Sequence, residues 1–215
     1  MKIKILLAIL FTCTLSIGLA QQSSTRDTLK NDIGFNTTFI LNGILNTEPT
    51  PITLMYKRYT KDYQAFRIGL STRTNLAKTK ASINDSISSN KNSLFHLSLS
   101  LGKEFQRELN KNWIWYFGAD LVPSYSFSKD FKSGLSLNGT NKRKTETYSL
   151  SAKPFMAIRF NIHKRLYLSA EASLSVGYTK ISQAYTNSTF NPDTDASSFY
   201  IALSPAAGLF LFHRF

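Results

Sequence analysis

The sequence predicts an all-β fold, a single antiparallel up-and-down transmembrane β-barrel of about eight strands. Three observations carry this expectation: a long alternating run that closes the chain, earlier segments that alternate in the same way, and connections that are by turns short and long. In the closing run Phe199, Ile201, Leu203, Ala207, Leu209, Leu211 and Phe215 fall on one face, while Ala202, Ser204, Ala206 and Gly208 fall on the other. Period-two alternation marks a strand whose faces meet different surroundings. The run is far longer than the usual five or six residues of a globular strand, and long enough to cross a bilayer.

Residues 1–20 read as a separate object. Lys2 and Lys4 form a positive n-region, Ile5 to Leu19 an apolar h-region, and Gly18-Leu19-Ala20 a small-residue cleavage site before Gln21. That is a secretory signal peptide; the h-region is short for a transmembrane anchor. Lipidation at Cys13 is disfavoured because Phe11 and Thr12 are bulky for a lipobox. Cys13 is the only cysteine, so residues 21–215, expected to form one outer-membrane barrel domain, carry no disulfide. The formal charge of +13 includes Lys2 and Lys4 and stays strongly basic without them. Nucleic acid is the usual partner for such a balance. A secreted protein whose basic residues sit in loops meets anionic lipopolysaccharide instead. No apolar run after residue 20 approaches helical spanning length, so a helical membrane protein is excluded.

Gln21 to Lys30 is a polar lead-in, and alternation starts at Ile33, with Ile33, Phe35, Phe39 and Leu41 against Asp32, Gly34, Asn36 and Asn42. After a loop at Asn46 to Pro51, a second strand runs from Ile52 to Tyr59, and Thr60-Lys61-Asp62 makes a tight turn. The third sets Phe66, Ile68 and Leu70 against Arg67, Gly69, Ser71 and Arg73. A polar loop is expected over Asn75 to Asn92. The fourth strand alternates most cleanly, Phe95, Leu97, Leu99, Leu101 and Phe105 against His96, Ser98, Ser100, Gly102 and Glu104. After a turn at Arg107 to Asn112, the fifth places Trp113, Trp115, Phe117, Ala119 and Leu121 against Tyr116, Gly118 and Asp120. A basic loop is expected over Lys129 to Glu146. The sixth pairs Tyr148, Leu150, Met156, Ile158, Phe160 and Ile162 against Ser149, Ser151, Lys153 and Arg159, and His163-Lys164-Arg165 is a hairpin turn. The seventh sets Leu166, Leu168, Ala170, Leu174, Val176 and Tyr178 against Ser169, Glu171, Ser173, Ser175 and Gly177, and a third long loop, Lys180 to Ser197, leads to the last strand.

Residue types decide which face is inside. A soluble barrel of the lipocalin or avidin sort would crowd its exterior with Lys, Glu, Asp and Gln. Here the polar face is Ser, Gly and Ala with isolated charges, which suits a narrow lumen. The other face is aliphatic, with aromatics such as Tyr56, Phe105, Trp113, Trp115, Phe127, Tyr148, Phe160, Tyr178, Phe199 and Phe215 toward strand ends, as in interfacial girdles.

With its signal peptide, strand rhythm and terminal Leu209-Phe210-Leu211-Phe212-His213-Arg214-Phe215, the chain resembles the small eight-stranded outer-membrane β-barrel proteins of Gram-negative bacteria, the architecture of the OmpA transmembrane domain and of OmpX. The resemblance covers essentially all of residues 21–215. It implies that Leu209, Leu211 and Phe215 form a signal read by the barrel-assembly machinery, with His213 departing from the usual aromatic or apolar residue. It carries no activity, because such barrels serve as adhesins, anchors and enzymes alike.

Chemistry is sparse. His96 and Ser98 share a strand face and resemble the His-x-Ser of outer-membrane lipid A deacylases, but alternation turns both inward, and Glu104 lies about 20 Å from Ser98 at about 3.3 Å per residue. His163 and His213 read as interfacial. No metal or cofactor is expected. Interior charges Lys57, Arg67, Arg73, Glu104, Asp120, Lys153, Arg159, Glu171 and Arg214 either line a path or pair across the lumen. Pairing is preferred, with Arg67, Glu104, Asp120, Lys153, Arg159 and Glu171 as a lumen charge network. The expectation is therefore a non-enzymatic, monomeric barrel in the cell outer membrane that presents long basic loops. Its partners would be outer-membrane lipid and lipopolysaccharide, the barrel-assembly machinery and a surface partner, with no nucleic acid. The alternatives are a lipid A-modifying enzyme using His96 and Ser98, or a narrow transport pore.

Overall fold

In a computed structural model of the protein, the residues described are 30–38, 51–61, 63–83, 86–133, 141–186 and 194–215. Strands β1 (Asn31–Asn36), β2 (Ile52–Lys61), β3 (Gln64–Ile83), β4 (Ser86–Glu108), β5 (Trp113–Ser133), β6 (Asn141–His163), β7 (Leu166–Thr186) and β8 (Thr194–Arg214) follow in order. Each pairs antiparallel with the next, and β1 pairs with β8 to close the barrel. The eight-stranded up-and-down barrel expected from alternation is thus the fold. The segment 1–20, the positions Phe39, Leu41 and Asn42 and most of the loop before Pro51 lie outside the described residues.

The strands are longer than alternation alone marks. β3 to β8 run for 20, 23, 21, 23, 21 and 21 residues. Three segments expected as loops therefore need correction. Residues of 75–92 continue the β3–β4 ladder as far as Ile83 and Ser86, with Lys78 opposite Lys91. Most of 129–146 extends β5 and β6, with Lys132 opposite Asn141. Most of 180–197 extends β7 and β8, with Gln183 opposite Thr194. These polar stretches satisfy their backbone groups across strands rather than in water. With water on both faces, no hydrophobic period marks them.

The short connections share one end of the barrel with Asn31 and Phe215. At that end Tyr63 adopts a left-handed backbone, φ 62°, and its carbonyl accepts from the Gln106 N–H at 2.7 Å. Asn31 N–H donates to Phe215 O at 3.1 Å and Phe215 N–H to Asn31 O at 2.8 Å, tying the two termini of the barrel together. One irregularity lies between β7 and β8, where Glu171 faces Gly208 but Ser173 faces Ser204. The extra residues on β8 include Pro205, which has no N–H to give the ladder.

The faces separate as alternation requires. Outward side chains stay exposed along their length, Leu70, Leu99, Leu121, Leu150 and Ile158 among them. The interior of the terminal half is packed with Met55, Tyr59, Tyr116, Phe155, Tyr167, Phe210 and Phe212, all buried. Small residues therefore do not line the whole lumen. Toward the far end they do, with Gly69, Ser98, Ser100, Ser124, Ser149, Ser151 and Gly177 on the inner face.

Candidate functional site: a plugged lumen

Eight strands enclose space for packed side chains and little more, so charges aimed inward must find partners or neutralise. Arg67 on β3 is the hub. Its Nη2 lies 2.9 Å from Glu171 Oε2 and 3.1 Å from Oε1, its Nε 3.2 Å from Asp120 Oδ1, and its Nη1 3.7 Å from Glu104 Oε2. The guanidinium also stacks over the Phe155 ring at 3.9 Å. A planar guanidinium with five donors in a fixed fork is suited to serve carboxylates from β4, β5 and β7 together.

Beside it, Lys57 Nζ reaches Glu104 Oε2 at 2.8 Å and rests over the Tyr116 and Phe212 rings at 4.2 and 4.5 Å. Glu104 takes a further hydrogen bond from Gln106 Nε2 at 2.6 Å. The cations of this layer are thus held by carboxylates on one side and ring faces on the other, where a desolvated cation gains most from an aromatic quadrupole. Two cations, Lys57 and Arg67, meet three carboxylates, Glu104, Asp120 and Glu171.

A second layer lies nearer the terminal end. Asp32 on β1 accepts from Tyr59 Oη at 2.6 Å, from Tyr167 Oη at 2.5 Å and from Arg214 Nε at 3.0 Å. Arg159 Nε donates to Asn161 Oδ1 at 2.7 Å, and its guanidinium lies 4.0 Å from the Tyr167 ring. Gln106 bridges the layers, since its Nε2 also lies 3.1 Å from Tyr59 Oη. Tyr116 Oη and Ser169 Oγ hydrogen-bond across the barrel.

Of the six residues read as a network, Arg67, Glu104, Asp120 and Glu171 meet in one cluster. Arg159 is buried but belongs to the Tyr59 and Tyr167 layer. Lys153 is half-buried and sits opposite Asp120 in the β5–β6 register, without an ion pair among the described residues. Reading charges alone missed the aromatic partners and the Asp32 layer. Asp32, Tyr116 and Tyr167 adjoin outward apolar residues, and Tyr59 keeps the phase opposite to Ile52, Leu54 and Tyr56, so parity places all four inside. Phe210 and Phe212 stand in an unbroken apolar run where parity carries no contrast.

His96 and Ser98 do face inward, but His96 Nδ1 lies 3.2 Å from Ser126 Oγ rather than engaging Ser98. No cluster of His, Cys, Asp or Glu suited to a metal occurs among the described residues. Leu209 and Leu211 face outward, and Phe215 lies beyond β8 with its ring stacked on His213 at 6.5 Å.

A crystal structure of a major outer membrane protein from Thermus thermophilus aligns with 88% of this chain and 100% of its own, at 9% identity and a TM-score of 0.44. No family model and no curated protein matches the chain. The barrel assignment rests on the strand pairing itself.

Proposed function

We propose that the chain is a non-enzymatic barrel of the outer membrane, whose rigid wall carries basic, Ser- and Asn-rich strand ends out of the bilayer. One observation supports this above the rest: the outer face is an apolar band, interrupted by Lys103 beside Phe66 and Phe105, and too large for a soluble monomer. On β7 the outward residues Leu166, Leu168, Ala170, Ala172, Leu174, Val176 and Tyr178 run without a charge. At about 3.3 Å per residue and a tilt of about 40° that band is about 30 Å tall, the thickness of a hydrocarbon core. Soluble monomers rarely expose apolar patches beyond a few hundred Å². Aromatics rim the band at both levels, as Trp113 and Phe160 do in contact at one end and Tyr178 and Phe199 at the other.

In this reading the short turns and Phe215 face the periplasm and the extended strands face outward. The architecture is that of the OmpA and OmpX barrels, the partners are lipid and lipopolysaccharide, and the terminal Leu209, Leu211 and Phe215 address the assembly machinery. A monomer suffices, because closure leaves no terminal-end strand edge to pair. A lipid-modifying role finds no support in His96, which turns inward to Ser126. The test is fractionation of the expressed full chain with gel migration before and after boiling. Recovery in outer membranes with a heat-dependent shift is expected; a soluble periplasmic protein with no shift would overturn the reading.

A further inference from the structure

Above the outer aromatic rim, the register of β3 to β6 assembles a row that no packing argument explains. Lys78, Lys91, Phe131 and Lys142 stand directly opposite one another across four strands, all facing outward. One row nearer the band, Lys129 stands opposite Lys144. Like charges directly opposite on a sheet repel, and here this happens twice on one face. Lys91 and Lys142 lie 5.8 Å from the Phe131 ring from either side, and Lys129 and Lys144 lie 5.1 and 5.5 Å from Phe127. Lys144 is offset by Glu146 at 2.7 Å; Lys78, Lys91, Lys129 and Lys142 make no ion pair among the described residues. A groove of about 340 Å³ runs against Leu76, Lys78, Lys91, Lys129 and Phe131.

We propose that this face is a binding site for the phosphorylated sugar headgroup of an outer-leaflet glycolipid. The proposal rests on the outer-membrane reading and adds a ligand and a site to it. A ligand here must be anionic, to relieve paired lysines. It must also be amphiphilic, because Lys91, Lys129, Lys142 and Lys144 sit two to six residues past Phe95, Phe127 and Tyr148 along their strands, so its acyl chains descend along the apolar band. Phosphate oxygens accept from several ammonium groups together, and basic residues at a lipid surface act additively on anionic headgroups. The Phe131 and Phe127 rings hold the lysine stems in place and offer a flat face to a sugar.

The experiment uses refolded full-length barrel in detergent micelles, titrated with bisphosphorylated lipid A, with its dephosphorylated form and with phosphatidylglycerol, and read by native mass spectrometry. Wild type is expected to retain bisphosphorylated lipid A at least about tenfold more tightly than either other lipid. The triple variant Lys78→Gln, Lys91→Gln, Lys142→Gln is expected to lose that advantage. The corresponding Lys→Arg triple, and a Lys111→Gln, Lys164→Gln control at the turn end, are expected to keep it. Heat-dependent migration of each sample confirms a folded barrel. If the Gln triple is folded and binds lipid A as wild type does, or if wild type holds phosphatidylglycerol equally well, the site is refuted while the membrane reading stands. If wild type shows no heat shift and inserts into no lipid, both fall.

Discussion

Arg67 and Arg143 each meet a carboxylate, but in opposite surroundings. The Arg67 side chain is 1% exposed and its partners are nearly as dry, whereas Arg143, at 2.5 Å from Asp130, is 47% exposed. Water screens the second pair and leaves it worth well under about 1 kcal/mol. In the first, removing one partner strands a charge where it cannot be hydrated. Glu104→Ala leaves Lys57 with ring faces and no close carboxylate, so the expected loss is about 3–5 kcal/mol, against less than about 1 kcal/mol for Asp130→Ala. Urea unfolding in lipid bilayers measures both; equal losses would mean that the interior is wetter than its packing implies. A Lys57→Met change in the Glu104→Ala background is expected to restore some of the loss, since the stranded cation is then gone. Arg67, Glu104, Asp120 and Glu171 were legible from parity, because each has Gly or Ser beside it on the inner face. Phe212 was not: it fills space over Gly34, where any Cβ would strike its ring, and a sequence shows only that Gly34 is small.

Among the described residues, β1 makes the shortest ladders, with β2 on one side and β8 on the other. Its described register with β8 runs from Asp32 opposite Arg214 to Asn36 opposite Phe210, while β3 and β4 pair from Gln64 to Ile83. Among the described residues the β1–β8 seam is held by its ladder, the Thr37 N–H to Leu209 O hydrogen bond at 2.7 Å, the Asn31–Phe215 backbone pair, the Asp32–Arg214 ion pair at 3.0 Å, and Phe212 against Gly34. Deleting Phe215 removes both Asn31 hydrogen bonds at once. The folded yield, read from heat-dependent migration, is expected to fall severely, while Phe131→Ala at the far end of β5 keeps it. Similar yields would show that the seam closes without its last residue. The strands themselves were legible wherever one face meets apolar surroundings, as in Phe95 to Phe105. Beyond that band both faces meet water, the composition turns to Ser, Asn and Lys, and the ladder is carried by backbone groups that every residue has. That is why 75–92 reads as a loop and pairs as strand.

For the molecule as a whole, the lumen and the wall impose different limits. The wall is uneven among the described residues, with β1 and β2 at 6 and 10 residues and the other six strands at 20 or more. Toward the far end the inner face carries serines, Ser98, Ser124 and Ser149 among them. Below them the section is spanned by Arg67 with its three carboxylates, Lys57 between Tyr116 and Phe212, and Phe155 against the Arg67 guanidinium. Below that lies the Asp32 layer, sealed by Tyr59, Tyr167 and Arg214. An ion crossing this barrel would have to break through both stacked layers, each held by charge-assisted hydrogen bonds and buried rings. Wild-type protein in planar bilayers is accordingly expected to show negligible conductance. Opening one layer alone, as in Glu104→Ala, is expected to leave it closed, because the Asp32 layer remains. A steady, solute-sized conductance from the wild type would show that these layers open readily, and would favour the transport reading over the plug.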